Sequence, residues 1–297
     1  MSGNFLTNLV ESLPRDLQQK FDAAVSQIRL SKGAVVALSA GVDSSLVALL
    51  AHKALGDHAV AVTGVSESLP PYELEISKET AHAIGIKHLV VQTDELQKPE
   101  YTSNRADRCY HCKDTLYREL RSLADSLGFE AILDGTQVDD LGDDRPGFRA
   151  AQEAGVKSPL LIACFSKADV RETARVLGLS VWDKPAMPCL SSRITHGEEV
   201  TTDKLGMIGQ AELYIKELTG VRNLRVRYSN SSARIEVAPE ERKLFFDEIV
   251  MDRVDRALKQ LGFMTVTLDM KGYTKKERTP PADPLLLPMA SLSQQLP

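Results

Sequence analysis

The stretch Ala34-Val-Val-Ala-Leu-Ser-Ala-Gly-Val-Asp-Ser-Ser45 changes character halfway along. Residues 34–38 form a continuous apolar run, residues 39–44 are mostly small and break it, and residues 45–55 return to leucines at helical spacing (Leu46, Leu49, Leu50). A buried strand, a short loop and a helix follow from that pattern. Upstream, Leu9, Leu13, Leu17, Phe21, Val25 and Ile28 recur at helical period and predict a helix within residues 7–30. Downstream the alternation repeats, with strands expected at 59–65, 88–92 and 131–134 and helices at 72–84, 112–127 and 167–177. Strands that alternate with helices give an α/β fold, a parallel sheet flanked by helices on both faces. Ligands in such sheets lie at the carboxyl ends of strands, where the loop after Leu38 falls.

At 297 residues the chain is long enough for two domains and buries about three-quarters of its unfolded surface without disulfides. Beyond Trp182, Lys184-Pro-Ala-Met-Pro-Cys-Leu-Ser-Ser-Arg193 is interrupted by prolines and can be neither helix nor central strand. A smaller α+β domain is expected after it: a helix at 202–218, strands at 224–228 and 233–237 joined by Ser229-Asn-Ser-Ser232, a broken helix at 239–261 and a strand at 265–268. The domain limits are therefore 1–196 and 197–274, with a disordered tail over 275–297, and no internal repeat is present. Lys and Arg number 36 against 41 Asp and Glu, a net charge of −5 that argues against a broad nucleic-acid or membrane surface. No apolar run reaches the ~20 residues of a membrane span, and the N-terminus has no signal-peptide pattern, so a cytoplasmic location is expected.

Residues 39–45 sit between a buried strand and a helix, so backbone N–H groups and the hydroxyls of Ser39, Ser44 and Ser45 can converge on an anion. Gly41 permits close backbone approach, and Asp43 suits a Mg²⁺ that bridges phosphates. The loop lacks the lysine of a Walker motif, and a simple Ser/Asp helix cap is the bland reading. Asp134 and Asp143, after a strand and in the next loop, stand where nucleotide or metal contacts are expected, although turn-forming Asp has the same signature.

Cys109-Tyr-His-Cys112 and Cys189 supply three thiols from two places. Three cysteines can hold a [4Fe–4S] cluster with one iron open. Zinc bound by Cys₃His with His196 or His111 and a reversible disulfide are the rivals, and spacing does not separate the three. Cys164 follows an apolar run and reads as an inert buried thiol. Arg225 and Arg227 alternate along one strand, so their side chains share a face, and paired guanidinium groups suit a phosphate.

Ser39-Ala-Gly-Val-Asp-Ser44 resembles the Ser-Gly-Gly-x-Asp-Ser motif of the PP-loop ATP pyrophosphatases, with Ala40 in place of the middle glycine. That superfamily cleaves ATP between its α and β phosphates to adenylate a substrate. Asp134-Gly135, Arg145-Pro-Gly147, Glu153-Ala-Gly155, Lys167-Ala-Asp-Val-Arg171, Cys189-Leu-Ser-Ser-Arg193, Leu224-Arg-Val-Arg227, Ala233-Arg-Ile-Glu236 and Val266-Thr-Leu-Asp269 together resemble the LarE family of ATP-dependent sulfur transferases. The resemblance spans most of the chain. It implies adenylation of a carboxylate on a pyridinium-3,5-dicarboxylate mononucleotide, with ATP and Mg²⁺, and conversion to a thiocarboxylate in nickel-pincer cofactor synthesis. Cys189 aligns with the family's sulfur-donating cysteine, which in single-cysteine forms is consumed. Cys109 and Cys112 resemble the branch in which three cysteines hold a [4Fe–4S] cluster whose extra sulfide is transferred. Arg193, Arg225 and Arg227 then face the substrate phosphate or, for Arg193, orient the Cys189 loop, and Glu212 and Glu236 align with acidic active-site positions. A sulfide or other sulfur donor and a homo-oligomer are also implied, with no nucleic acid or membrane partner. A PP-loop tRNA thiolase and a non-enzymatic nucleotide-binding redox or metal sensor are the competing readings.

Overall fold

The computed structural model describes residues 8–141 and 146–273. Asp143, Arg145 and the tail from Lys275 onward lie outside the described residues. Four parallel strands form the first sheet: β1 (Ala34–Ala37), β2 (Ala59–Val65), β3 (Lys87–Gln92) and β4 (Ala131–Leu133), in the order β3-β2-β1-β4. Ala34 pairs with Ala59 on one side and with Ala131 on the other. β1 is apolar throughout because both its faces are covered. Ala34 and Val36 enter the core shared by α1 (Arg15–Ile28), α2 (Val42–Leu55) and α8 (Lys167–Val176), while Val35 and Ala37 face Tyr117, Leu120 and Ala124 of α5 (Arg108–Leu127). The remaining helices of this half are α3 (Pro71–Ile84), the single turn α4 (Pro99–Thr102), α6 (Pro146–Glu153) and the single turn α7 (Pro159–Ile162).

The sheet order places β1 at the point where connections run outward to β2 on one side and to β4 on the other. A crevice at the carboxyl end of β1 is the result, and the loop to α2 lies in it.

After a connector, α9 (Thr202–Thr219) and α10 (Glu248–Gln260) pack on a three-stranded sheet of β5 (Leu224–Ser229), β6 (Ser232–Val237) and β7 (Thr265–Leu268). β5 and β6 are antiparallel, and Asn230 (φ 45°) and Ser231 (φ 60°) close their hairpin with the two left-handed residues of a type I′ turn. β6 and β7 are parallel, joined across α10. The core of this half takes in Tyr101, Leu190 and Ile194, so α4 and the connector are packed into it.

Two expectations are corrected, and one helix is new. The first helix does not run unbroken from 7 to 30: Pro14 caps a fresh start at Arg15. Helix α6, for which the sequence reading predicts no element, buries Ala150 and Ala151 against α5. Cys164 is exposed, not buried, because the chain turns there through φ 56° and hands the core position to Phe165. The helix expected at 239–261 does break: a 3₁₀ segment, Pro239–Phe245, precedes α10, whose first turn is capped by the Asp247 carboxylate accepting from Val250 N–H. Among the described residues no helix is long and apolar enough to cross a membrane.

Candidate active site

The loop from β1 to α2 is tied by its own serines. Ser39 N–H donates to Ser44 Oγ (3.2 Å), and the Ser44 and Ser45 hydroxyls both donate to the Gly41 carbonyl (3.1 and 2.8 Å). The left-handed residue is Ala40 (φ 57°), whereas Gly41 is extended, and a Cβ on Gly41 would meet only Ser39 Oγ at 3.6 Å. At Gly135, just past β4, a Cβ would lie 2.7 Å from Ser44 N, so the two loops meet backbone to backbone. Asp134 accepts from Thr136 N–H, Thr136 Oγ1 and Ser158 Oγ (3.1, 2.8 and 2.7 Å), an arrangement that holds this turn.

Asp43 is the acid of the loop. Lys167 Nζ donates to its Oδ2, while Oδ1 is buried with no hydrogen-bond partner among the described residues. Burial raises the Asp43 carboxyl above the usual range, Lys167 pulls it back down, and Asp140 adds to the rise. An unsatisfied buried carboxylate oxygen at the N-terminus of α2 is a suitable ligand for a hard cation.

Cys109 and Cys112 lie on the first turns of α5 at i and i+3, so they share a face. Cys109 is exposed; Cys112 and Cys189 are half-buried. Burial pushes the Cys112 thiol up to about 12, and Cys189, Glu95 and Cys109 contribute in the same direction, so Cys189 and Cys109 each lie within electrostatic reach of Cys112. Among the described residues no group of three or more His, Cys, Asp or Glu is already gathered as a metal site. His196 Nδ1 sits 3.4 Å from the Asn104 carbonyl and His111 Nε2 3.5 Å from Asp107.

The connector that carries Cys189 is held by its carbonyls. Pro185 and Pro188 remove two donors from it, so no ladder can form there. Arg171 donates to the carbonyls of Trp182 and Lys184 (2.6 and 2.8 Å), Arg225 to Ala186 (2.6 Å), Arg193 to Pro188 and Cys189 (2.6 and 3.3 Å), Arg108 to Ser191 (2.8 Å) and Arg227 to Ser192 (2.9 Å). Arg193 and Arg225 are about 1% exposed, and Arg225 also stacks on Tyr273 at 4.5 Å. Glu212 is fully buried and accepts from Arg193 Nε and from Val226 N–H (2.8 and 3.0 Å). Glu236 accepts from Arg227 Nε and Arg234 Nη2 (2.9 and 2.8 Å).

Two lysines escaped the sequence reading. Lys113 follows Cys112 directly, and Tyr117, then Asp134 and Cys112, raise its pKa against the effect of burial, so its ammonium lies within electrostatic reach of Cys112 and Asp134. Lys184 Nζ donates to the Ala40 carbonyl at 2.9 Å and to Glu73 Oε2. Neither has a motif around it that marks it; a lysine beside a Cys-x-x-Cys was the one available signal for Lys113.

Comparison with known proteins agrees with this geometry. The NAD synthase family matches residues 15–111, which contain the β1–α2 loop. An uncharacterized protein of Synechocystis is 47% identical over 81% of this chain and 89% of its own length. The pyridinium-3,5-bisthiocarboxylic acid mononucleotide synthase of Lactiplantibacillus plantarum is 38% identical over 86% of this chain and 92% of its own. A tRNA-specific 2-thiouridylase of Caulobacter is 30% identical, over 55% of this chain and 51% of its own length. The near-complete mutual coverage with the mononucleotide synthase, on a fold with the PP-loop in its crevice, shows that the chain belongs to the LarE family of PP-loop, ATP-dependent sulfur transferases.

Proposed function

We propose that this protein adenylates a carboxylate of a pyridinium-3,5-dicarboxylate mononucleotide and converts it to a thiocarboxylate. The observation that carries the reading is the direct tie between the two half-sites: Lys184, five residues before Cys189 on the connector, donates to the Ala40 carbonyl of the phosphate loop. A carboxylate resists attack because it is negatively charged and lacks a leaving group. Its oxygen attacks the α-phosphorus of ATP and pyrophosphate departs; a sulfur nucleophile then attacks the acyl carbon and AMP departs with the C–O bonding pair.

Ser39, Gly41, Ser44 and Ser45 cradle the triphosphate at the N-terminus of α2. Mg²⁺, held through the unpartnered Oδ1 of Asp43, would neutralise the departing pyrophosphate. Cys109 and Cys112 on one face of α5, with Cys189 within electrostatic reach of Cys112, fit the donor set of a [4Fe–4S] cluster, which when bound would supply the transferable sulfur. Arg193 and Arg225 fix the connector, and Arg227, the most exposed of the three, exchanges its carbonyl partner for the substrate phosphate. Glu212 and Glu236 set the positions of Arg193 and Arg227.

The test is incubation of anaerobically purified protein with MgATP and the dicarboxylate mononucleotide, with products read by mass spectrometry. One AMP and one pyrophosphate per thiocarboxylate are expected, with no thiolation of tRNA. Thiolated tRNA in place of the thiocarboxylate would assign the chain to the tRNA thiolases.

A further inference from the structure

The phosphate loop contains a conformational cost at Ala40. Ala40 is fully buried at φ 57°, a region that an L-residue with a Cβ avoids and glycine enters freely. The Ala40 carbonyl accepts from Lys184 Nζ at 2.9 Å, and the same ammonium is paired with Glu73, whose side chain is 4% exposed. In a planar trans peptide the carbonyl and the following N–H point in opposite directions. Lys184 therefore aims the Gly41 N–H away from itself, and among the described residues that N–H makes no hydrogen bond within the protein.

Lys184 is itself fixed on both sides. Its own carbonyl is held by Arg171, and Arg225 and Arg193 hold the carbonyls of Ala186, Pro188 and Cys189 beyond it. We infer that Lys184 is a positioning residue, pinned by Glu73, that locks the Ala40–Gly41 peptide in its phosphate-receiving orientation and sets the phosphate loop in register with the Cys189 connector. This inference rests on the ATP-using reading of the loop. It assigns Lys184 no contact with the reacting atoms.

The experiment is calorimetric titration of the full chain with α,β-methylene ATP and Mg²⁺, which needs neither the carboxylate substrate nor sulfur. Lys184→Met combined with Glu73→Gln removes the pair together and leaves no lone buried charge, and should weaken binding about tenfold. Adding Ala40→Gly to that double variant should restore most of the affinity, because glycine holds the left-handed conformation unaided. Lys184→Arg, which keeps the cation, should bind within about threefold of the parent protein. Undiminished binding by the double variant, or failure of Ala40→Gly to restore it, would overturn the inference. An unaltered protein that binds no nucleotide would overturn the ATP reading first and this inference with it.

Discussion

Arg193 Nε donates to Glu212 Oε1 over 2.8 Å and Nη2 to Glu212 Oε2 over 3.1 Å with both side chains closed to solvent, while Nη1 of that guanidinium holds the carbonyls of Pro188 and Cys189. The pair joins α9 to the connector, so the thiol of Cys189 is placed by a helix of the C-terminal half. Glu212→Ala leaves a buried guanidinium without its counter-charge and should cost about 3–5 kcal/mol of folding stability. Urea denaturation measures it. A loss below about 1 kcal/mol would mean that the pair is no anchor.

Gly135→Ala should damage the phosphate loop from outside it. The new Cβ would lie 2.7 Å from Ser44 N and 2.9 Å from the Asp43 carbonyl carbon, and backbone cannot swing away as a side chain can. A cost of about 1–3 kcal/mol is expected, together with weaker MgATP binding. Calorimetry on the variant reads both, and unchanged nucleotide affinity would separate the contact from the site.

Much of this was legible in the chain itself. The β1 run, the small residues of the following loop and the leucines of α2 announce a strand, a loop and a helix because burial on both faces and helical period leave local signatures. The alternation around that stretch foretold the parallel sheet. Partnerships across the chain leave none. Glu212 has the look of a solvated helical glutamate until Arg193 and the Val226 N–H are found against it. Arg225 and Arg227 share a strand face as read, but their present partners are carbonyls of a proline-broken connector whose need for donors shows only once its path is known. Cys164 was misjudged because the register of a single turn decides whether it or Phe165 enters the core.

His88 on β3 bonds to Thr63 Oγ1 at 2.9 Å, and burial followed by the nearby Lys78 lowers its pKa below the ordinary 6.5. The unfolded chain then takes up a proton before the folded one does. The contribution of neutral His88 is complete above pH 6.5 and is lost as pH falls through its depressed folded value. Replacing His88 with Gln should flatten the dependence of stability on pH across that window, measured by urea denaturation at successive pH values. An unaltered slope would assign the dependence to other groups.

The cysteine proposal is settled by composition. Protein purified without oxygen should hold on the order of four iron and four acid-labile sulfide per chain, lost on Cys109→Ala, Cys112→Ala or Cys189→Ala and kept on Cys164→Ser. Absence of both after reconstitution would leave Cys189 as a donor consumed in one turnover.

Carboxylate activation is the centre of the account, and exchange of radiolabelled pyrophosphate into ATP tests it most directly. Exchange should occur with the pyridinium dicarboxylate mononucleotide present, stop when the mononucleotide is withheld, and disappear in Asp43→Asn, which removes the charge beside the unpartnered Oδ1. Exchange that proceeds equally without any carboxylate, or only when tRNA is added, would contradict it.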